Sequence, residues 1–358
     1  MRPIYAQIDL AALAHNFGVA RRCCAPDKKL FAVVKANAYG HGVEAAVSAL
    51  QEADGFAVCS LEEAAPVRAL AHPEQRILLL EGVFQAQEYL QAAQWQLDVV
   101  IHHPQQAQWL LGQELAAPLN VWLKLDSGMH RLGLSPAELA EVYAQLNGAP
   151  QVAELNLLSH LACADERGHE LNEAQLEAFL DQLPEREFKH LSLANSAALM
   201  TLPAMHMDWL RPGLMLYGAS PCAGLSAQEL GLTAVMSLRS EVLAVRNVEA
   251  GASIGYGASW LAEKPARIAT IACGYADGYP RHAPAGTPVL IDGQRASLVG
   301  RVSMDLITVD VSDLPAVAVG TPVELWGAQL PVDEVAEHAG TLSYELLSQV
   351  IARVPRRY

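Results

Sequence analysis

Between residues 31 and 210, short apolar runs return at even intervals, and a helical pattern follows each one. That alternation restricts the chain to a few α/β architectures. The runs are Phe31–Val34, Phe56–Cys59, Ile77–Leu80, Val99–Ile101, Leu119–Leu125, Glu154–Ser159, His190–Ala194 and Trp209–Leu210. Unbroken apolar runs suit strands buried on both faces. Between them, Ser60 with Glu63 and Ser135-Pro136 with Glu138 read as capping boxes. Pro104 opens another helix, and Asn172 to Leu183 is amphipathic. About eight β–α repeats match a (β/α)8 TIM barrel, typically ~250 residues. A doubly wound sheet is the rival; the evenness of the repeat and the lack of G-x-G-x-x-G after the first strand favour the barrel.

The texture changes after Gly231. Ser240–Val245 and Leu306–Val311 alternate at period two, and Asp292-Gly293 between Pro288–Ile291 and Arg295–Val299 is a hairpin turn. One helix is expected from Tyr344 to Ala352. The chain therefore divides into a barrel over 10–230 and a mostly β domain over 231–358, with the strand-like residues 1–9 assigned to the second.

Composition narrows the partners. Of 358 residues, 52% are hydrophobic, which is enough for two cores. A net charge of -15 argues against nucleic acid or an anionic membrane surface. The cysteines Cys23, Cys24, Cys59, Cys163, Cys222 and Cys273 form no C-x-x-C and no metal spacing. Adjacent Cys23 and Cys24 read as thiols near the end of a surface helix, in a reducing compartment. Asp9 interrupts any signal-like start, and no apolar run is long enough to span a bilayer, so a cytoplasmic protein is expected.

The first run ends at Lys35, followed by Ala36-Asn37-Ala38-Tyr39-Gly40-His41-Gly42. Helical spacing resumes at Val43, Ala46, Val47 and Leu50. A lysine closing a strand is more often a surface residue. Here the flank is apolar, the strand end is where α/β folds bind ligands, and Gly40 and Gly42 let backbone approach closely. A desolvated lysine in that place becomes a nucleophile or Schiff-base former.

Other residues carry chemistry more ambiguously. Asn120, Trp122 and Lys124 share one strand face, and a lysine inside a barrel is costly unless paired, modified or snorkelling to the rim. Asn195-Ser196 opens a short helix, as a cap or as an anion site. Arg211-Pro212-Gly213-Leu214 lies in the late loops, where barrels commonly hold phosphate. Ile254-Gly255-Tyr256-Gly257 and Gly274-Tyr275-Ala276-Asp277-Gly278-Tyr279 are aromatic-glycine loops that, taken alone, read as turns.

The Lys35 block resembles the pyridoxal-phosphate lysine motif of the alanine racemases, and the resemblance runs over nearly the whole chain. It implies that Lys35 carries pyridoxal 5'-phosphate and acts as one catalytic base. Tyr256, from the partner subunit of a head-to-tail homodimer, is implied as the other. Tyr39, Ser196, Gly213 and Leu214 would hold the phosphate, with Asn195 beside them. Arg211 would face the pyridine nitrogen, steered by His160. A guanidinium keeps its proton, so the ring would be a weaker electron sink and side reactions would be disfavoured. Arg131 would meet the phenolic oxygen and the substrate carboxylate, held by Lys124 as an N-carbamate. Met304 would bind the substrate carboxylate through its amide, and Asp165, Tyr275, Arg281 and Arg301 would form the entryway. Two bases are needed because the α-hydrogens of L- and D-alanine lie on opposite faces of the cofactor plane. One departure is Ala352, where some members carry a tyrosine before Arg353-Val354-Pro355-Arg356; its absence removes a phosphate donor and widens the pocket. The same resemblance leaves two rivals: another enzyme on this barrel, namely a decarboxylase or a broader racemase, and a cofactor carrier without turnover. A decarboxylase would pair the pyridine nitrogen with a carboxylate, broader racemases are typically exported, and carriers resemble the barrel alone.

Overall fold

The structure, a computed structural model, describes residues 2–358. The chain starts with β1 (Tyr5–Ile8) and a helix, Leu10–Arg22, whose first turn is capped by the Asp9 carboxylate accepting from Ala12 N–H at 2.9 Å. Cys23 closes that helix, half-buried.

Eight parallel strands follow: β2 (Lys29–Val33), β3 (Gly55–Val58), β4 (Arg76–Leu79), β5 (Asp98–Ile101), β6 (Leu119–Lys124), β7 (Val152–Leu158), β8 (Leu191–Ser192) and β9 (Trp209–Leu210). They pair in the order β8-β7-β6-β5-β4-β3-β2-β9, and a parallel bridge between Asn195 and Arg211 closes the ring. Every strand falls on an expected apolar run, and helices lie between them, so the architecture is a (β/α)8 barrel.

Aromatic side chains fill the barrel toward its amino-terminal end. Phe31 stacks on Trp209 at 4.0 Å and meets Trp122 edge-on. Asp98, 1% exposed, accepts from Trp122 Nε1 at 2.8 Å and Asn120 Nδ2 at 2.9 Å. The Asn120–Trp122–Lys124 face thus points inward: its lower two residues satisfy a buried carboxylate, and Lys124 is left at the open, carboxy-terminal mouth.

The second domain is a mixed, mostly antiparallel sheet built on β10 (Met236–Val248). β1 pairs with β10 antiparallel and with Arg356–Arg357 parallel, so both chain ends meet in this sheet. Asp292 and Gly293, with φ of 50° and 73°, make the expected two-residue turn between Pro288–Ile291 and Gln294–Leu298. Two expectations need correction. The last helix runs Ser343–Ser348 and ends before Ala352, and a second helix, Val332–Ala339, precedes it. Val332, Val335, Ala336 and Ala339 are its buried face, so the apolar spacing was present in the sequence.

Candidate active site

β2 delivers Lys35 to the barrel mouth, and the backbone then does something unusual. Ala36, Asn37, Ala38 and Tyr39 have φ of 52°, 54°, 53° and 51°, forming one left-handed turn. Each non-glycine residue held there costs about 1–2 kcal/mol, so the surroundings must impose it. At its start, Ala36 N–H donates to Glu63 Oε1 at 2.7 Å. This corrects the expected capping box: Ser60 still accepts from Glu63 N–H, but the Glu63 carboxylate turns to Ala36 and Cys59 N–H groups. Ser135 and Glu138 form the full box. At the far end, Arg356 Nε donates to Gly40 O at 2.9 Å, and Gly40 lies under Leu347 O, which a Cβ there would approach to 2.2 Å.

The turn borders a cavity of about 580 Å³ at the mouth. Lys35, Tyr39, Lys124, Arg131, His160, Asn195, Ser196, Arg211, Gly213 and Leu214 all line it, ten residues expected from separate stretches of sequence. Arg211 is 5% exposed and held by Ser192 Oγ, by Ser159 O at 2.6 Å and by His160 Nδ1 at 3.4 Å. Burial lowers it to about 10, which leaves it protonated at neutral pH. His160 is driven well below the usual imidazole value by burial and then by Arg211, so it is neutral. Lys124 is lowered to about 8 by burial, then by the Arg211 and Arg131 cations. Asn195 caps the short helix Ser196–Thr201, which frees Ser196 Oγ to accept from Gly213 N–H at 2.7 Å. A Cβ on Gly213 would sit 2.8 Å from the Tyr39 hydroxyl, so only glycine leaves this cradle open.

Two family models match the chain, "Alanine racemase, N-terminal domain" over residues 8–221 and "Alanine racemase, C-terminal domain" over 235–358. The chain belongs to the alanine racemase family. It is 62% identical to an alanine racemase of Stutzerimonas stutzeri and 62% identical to a biosynthetic alanine racemase of Pseudomonas aeruginosa, with 100% of this chain and 99% of each relative covered. The crystal structure of the Pseudomonas aeruginosa enzyme superposes with a TM-score of 0.98 over 100% of this chain and 99% of that one. An alanine racemase from Bartonella henselae, solved with covalently bound pyridoxal phosphate, is 31% identical with a TM-score of 0.91 and full coverage of both chains.

The remaining residues carried over from the racemase pattern lie outside the cavity of their own chain. Tyr256 is 69% exposed, lifted from the domain by Gly255 and Gly257, both at positive φ. Tyr275 and Met304 sit on two loops joined by Tyr275 N–H to Ser303 O and Ala276 N–H to Met304 O. Arg281 and Arg301 line a separate cavity with Trp260 and His282. Asp165 is near enough to Tyr344 for its charge to raise that phenol, after the larger effect of burial. Ala352 borders a neighbouring cavity of about 310 Å³, which shares only Ala36 and Ser348 with the Lys35 cavity. The space expected from Ala352 therefore opens beside the Lys35 pocket, against Tyr358 and the carboxy-terminal tail. Residues that sequence reasoning missed are Glu81, Tyr344 and Ser348. Glu81 follows β4, and the barrel rule for strand ends would have nominated it. Tyr344 and Ser348, spaced i, i+4, come from the second domain with no local signal.

Proposed function

We propose that this chain is a pyridoxal-phosphate-dependent alanine racemase, EC 5.1.1.1, interconverting L- and D-alanine with Lys35 and Tyr256 of the partner subunit as the two bases. The observation that carries this is the single cavity that gathers Lys35, Arg131, Arg211, His160, Ser196 and Gly213. The cofactor fits it: with Lys124 as an amine, four cations (Lys35, Lys124, Arg131 and Arg211) face one carboxylate, Glu81, and with Lys124 as a carbamate three cations still face two anions, so the site suits an anionic group either way. Tyr39, Ser196, Gly213 and Leu214 would hold the phosphate, and Asn195, as the helix cap, shapes that end. Arg211, fixed by Ser159 and His160, would face the ring nitrogen. Bound there, pyridoxal phosphate supplies the electron sink that acidifies the α-hydrogen of alanine. Lys35 takes or returns that proton on one face, and Arg131 and the Met304 backbone of the partner subunit orient the substrate carboxylate.

The exposure of Tyr256, Tyr275 and Met304 supports a head-to-tail homodimer in which residues 231–358, with 1–9, complete a site on the 10–230 barrel of another copy. Asp165, Tyr275, Arg281 and Arg301 would line its entryway. Lys124, with its lowered amine beside two guanidinium groups, is suited to carbamylation, in which the neutral amine adds CO₂ and releases a proton. The carbamate would then pair with Arg131. Of the two expected roles, D-alanine supply for peptidoglycan and alanine catabolism, the first is supported by 62% identity to a biosynthetic alanine racemase against 45% to a catabolic one, and the cytoplasm is the compartment proposed with it. Among the described residues, no helix is long and apolar enough to cross a membrane.

The test is isotopic. L-alanine incubated with the enzyme in deuterated water should give D-alanine labelled at Cα, and Lys35→Ala should lose both turnover and the visible cofactor band. Cofactor binding without exchange would make the protein a carrier instead. Mixing Lys35→Ala with Tyr256→Phe subunits should restore activity, because one site of the mixed dimer keeps both bases. No recovery would count against the shared site.

A further inference from the structure

His41 has none of the roles above, yet the structure places it against the turn that follows Lys35 and, through Tyr217, connects it to the strand that precedes Lys35. Its ring is 1% exposed. Nδ1 lies 3.0 Å from Ala38 O and 2.9 Å from Tyr39 O. Both partners are carbonyl oxygens and can only accept, so Nδ1 carries the hydrogen and the tautomer is fixed. Nε2 is buried and finds no partner among the described residues. The ring therefore works as one bifurcated donor, aimed at two consecutive carbonyls of the left-handed turn.

The same ring is tied to the strand that precedes Lys35. It stacks on Tyr217 at 4.6 Å and 29°, Tyr39 stacks on Tyr217 at 4.7 Å and 26°, and Tyr217 Oη donates to Val33 O at 2.8 Å. Val33 lies two residues before Lys35 and Tyr39 four after it. Tyr217 thus relates the strand end to the turn, and His41 closes the connection by pinning the turn's carbonyls. Glu63 holds the front of the turn and Arg356 its rear, but among the described residues only the His41 ring reaches both the Ala38 and Tyr39 carbonyls from a side chain.

We propose that His41 is a positioning residue, whose Nδ1–H holds the left-handed turn so that Lys35 and Tyr39 point into the cavity. This rests on Lys35 being the reacting lysine, and one arm of the test is independent of that. His41→Phe keeps a ring for Tyr217 and removes the donor. His41→Asn and His41→Leu are near-isosteric, with and without an N–H, and keep the question answerable if the phenylalanine variant does not fold. Four readouts apply to the holoenzyme: kcat, KM for L-alanine, visible circular dichroism of the cofactor band, and Tm. A fifth, amide hydrogen exchange of the peptide spanning 36–42, requires neither cofactor nor turnover.

Misplacing a reacting group by about an ångström costs on the order of 10²-fold. His41→Phe and His41→Leu should therefore lose kcat on that scale with KM changed less than about threefold, altered visible dichroism and faster exchange at 36–42. His41→Asn should recover at least about tenfold of the kcat relative to His41→Leu. A drop in Tm with wild-type kcat, dichroism and exchange would reduce His41 to packing and overturn the proposal. Equal losses in the asparagine and leucine variants would overturn it as well. If the wild type bound cofactor without racemising alanine, the dichroism and exchange arms would still decide the role of His41.

Discussion

Gly40→Ala tests how the second domain supports the lysine turn. Gly40 has φ +82°, and a Cβ built on it would lie 2.2 Å from Leu347 O and 3.2 Å from the carbonyl carbon. To reach ordinary contact, the helix Ser343–Ser348 must retreat by roughly 1 Å. The backbone conformation alone costs an alanine about 1–2 kcal/mol, partly offset by about 0.5–1 kcal/mol from a less flexible unfolded chain. Overpacking against a carbonyl that cannot rotate away adds about 1–3 kcal/mol. The net expectation is a loss of about 2–4 kcal/mol. Gly148→Ala separates the two contributions, since Gly148 has φ +80° and a Cβ there would meet nothing within 4 Å; it should lose only about 1 kcal/mol. Urea unfolding followed by tryptophan fluorescence measures both. Because the displaced helix carries Tyr344 and Ser348, Gly40→Ala should also reduce kcat/KM, whereas Gly148→Ala should not. Equal destabilisation of the two variants would refute the argument that Leu347 braces the turn.

Three further outcomes follow from the same contacts. Burial lowers His41 to about 4 and His160 well below its usual value, so both are neutral when folded, while the unfolded chain takes up protons as pH falls through about 6.5. Stability is therefore complete above about pH 6.5 and lost on the way down to about 4, His41 alone contributing on the order of 3 kcal/mol; a flat urea-midpoint profile from pH 7.5 to 5 would contradict it. Asp277, fully buried, accepts from Arg2 at 2.6 Å, Arg353 Nε at 2.8 Å and Gly274 N–H at 2.9 Å, which ties the Tyr275 loop to both chain ends. Asp277→Asn should cost about 1–3 kcal/mol and raise KM for L-alanine with the visible cofactor band unchanged, and loss of the band would show that the loop serves its own barrel instead. Ala352→Tyr should occupy part of the 310 Å³ cavity and narrow it toward the shared wall at Ala36 and Ser348, which would raise discrimination of L-alanine over L-serine by about tenfold in kcat/KM; an unchanged ratio would show that the two cavities are functionally separate.

Much of the site was legible because it hangs on strand ends. Lys35, Lys124, His160, Asn195 and Arg211 each follow or close an apolar run, and a parallel barrel collects such positions at one mouth. Tyr256, Tyr275 and Met304 could be named from motifs, but their exposure comes only from the folded second domain. Glu63 shows the limit of local reading. Its spacing from Ser60 is that of a capping box, yet its carboxylate has a better use on Ala36 N–H, 27 residues away in sequence.

The amino-acid order by itself determined the barrel strands, most of the helices and the lysine at the end of β2, because periodicity and capping act over one or two turns of chain, while Ala266–Ile271 and Pro322–Trp326 of the second sheet were not read from it. It could not determine the handedness of residues 36–39. Of its sequence neighbours only His41 reaches the turn with a side chain, at the last two carbonyls, and four successive L-residues at positive φ persist because Glu63, Arg356 and the Leu347 carbonyl converge on them from up to 316 residues away. Contacts at that range come into being only when barrel and sheet have packed, and they are what aim the lysine.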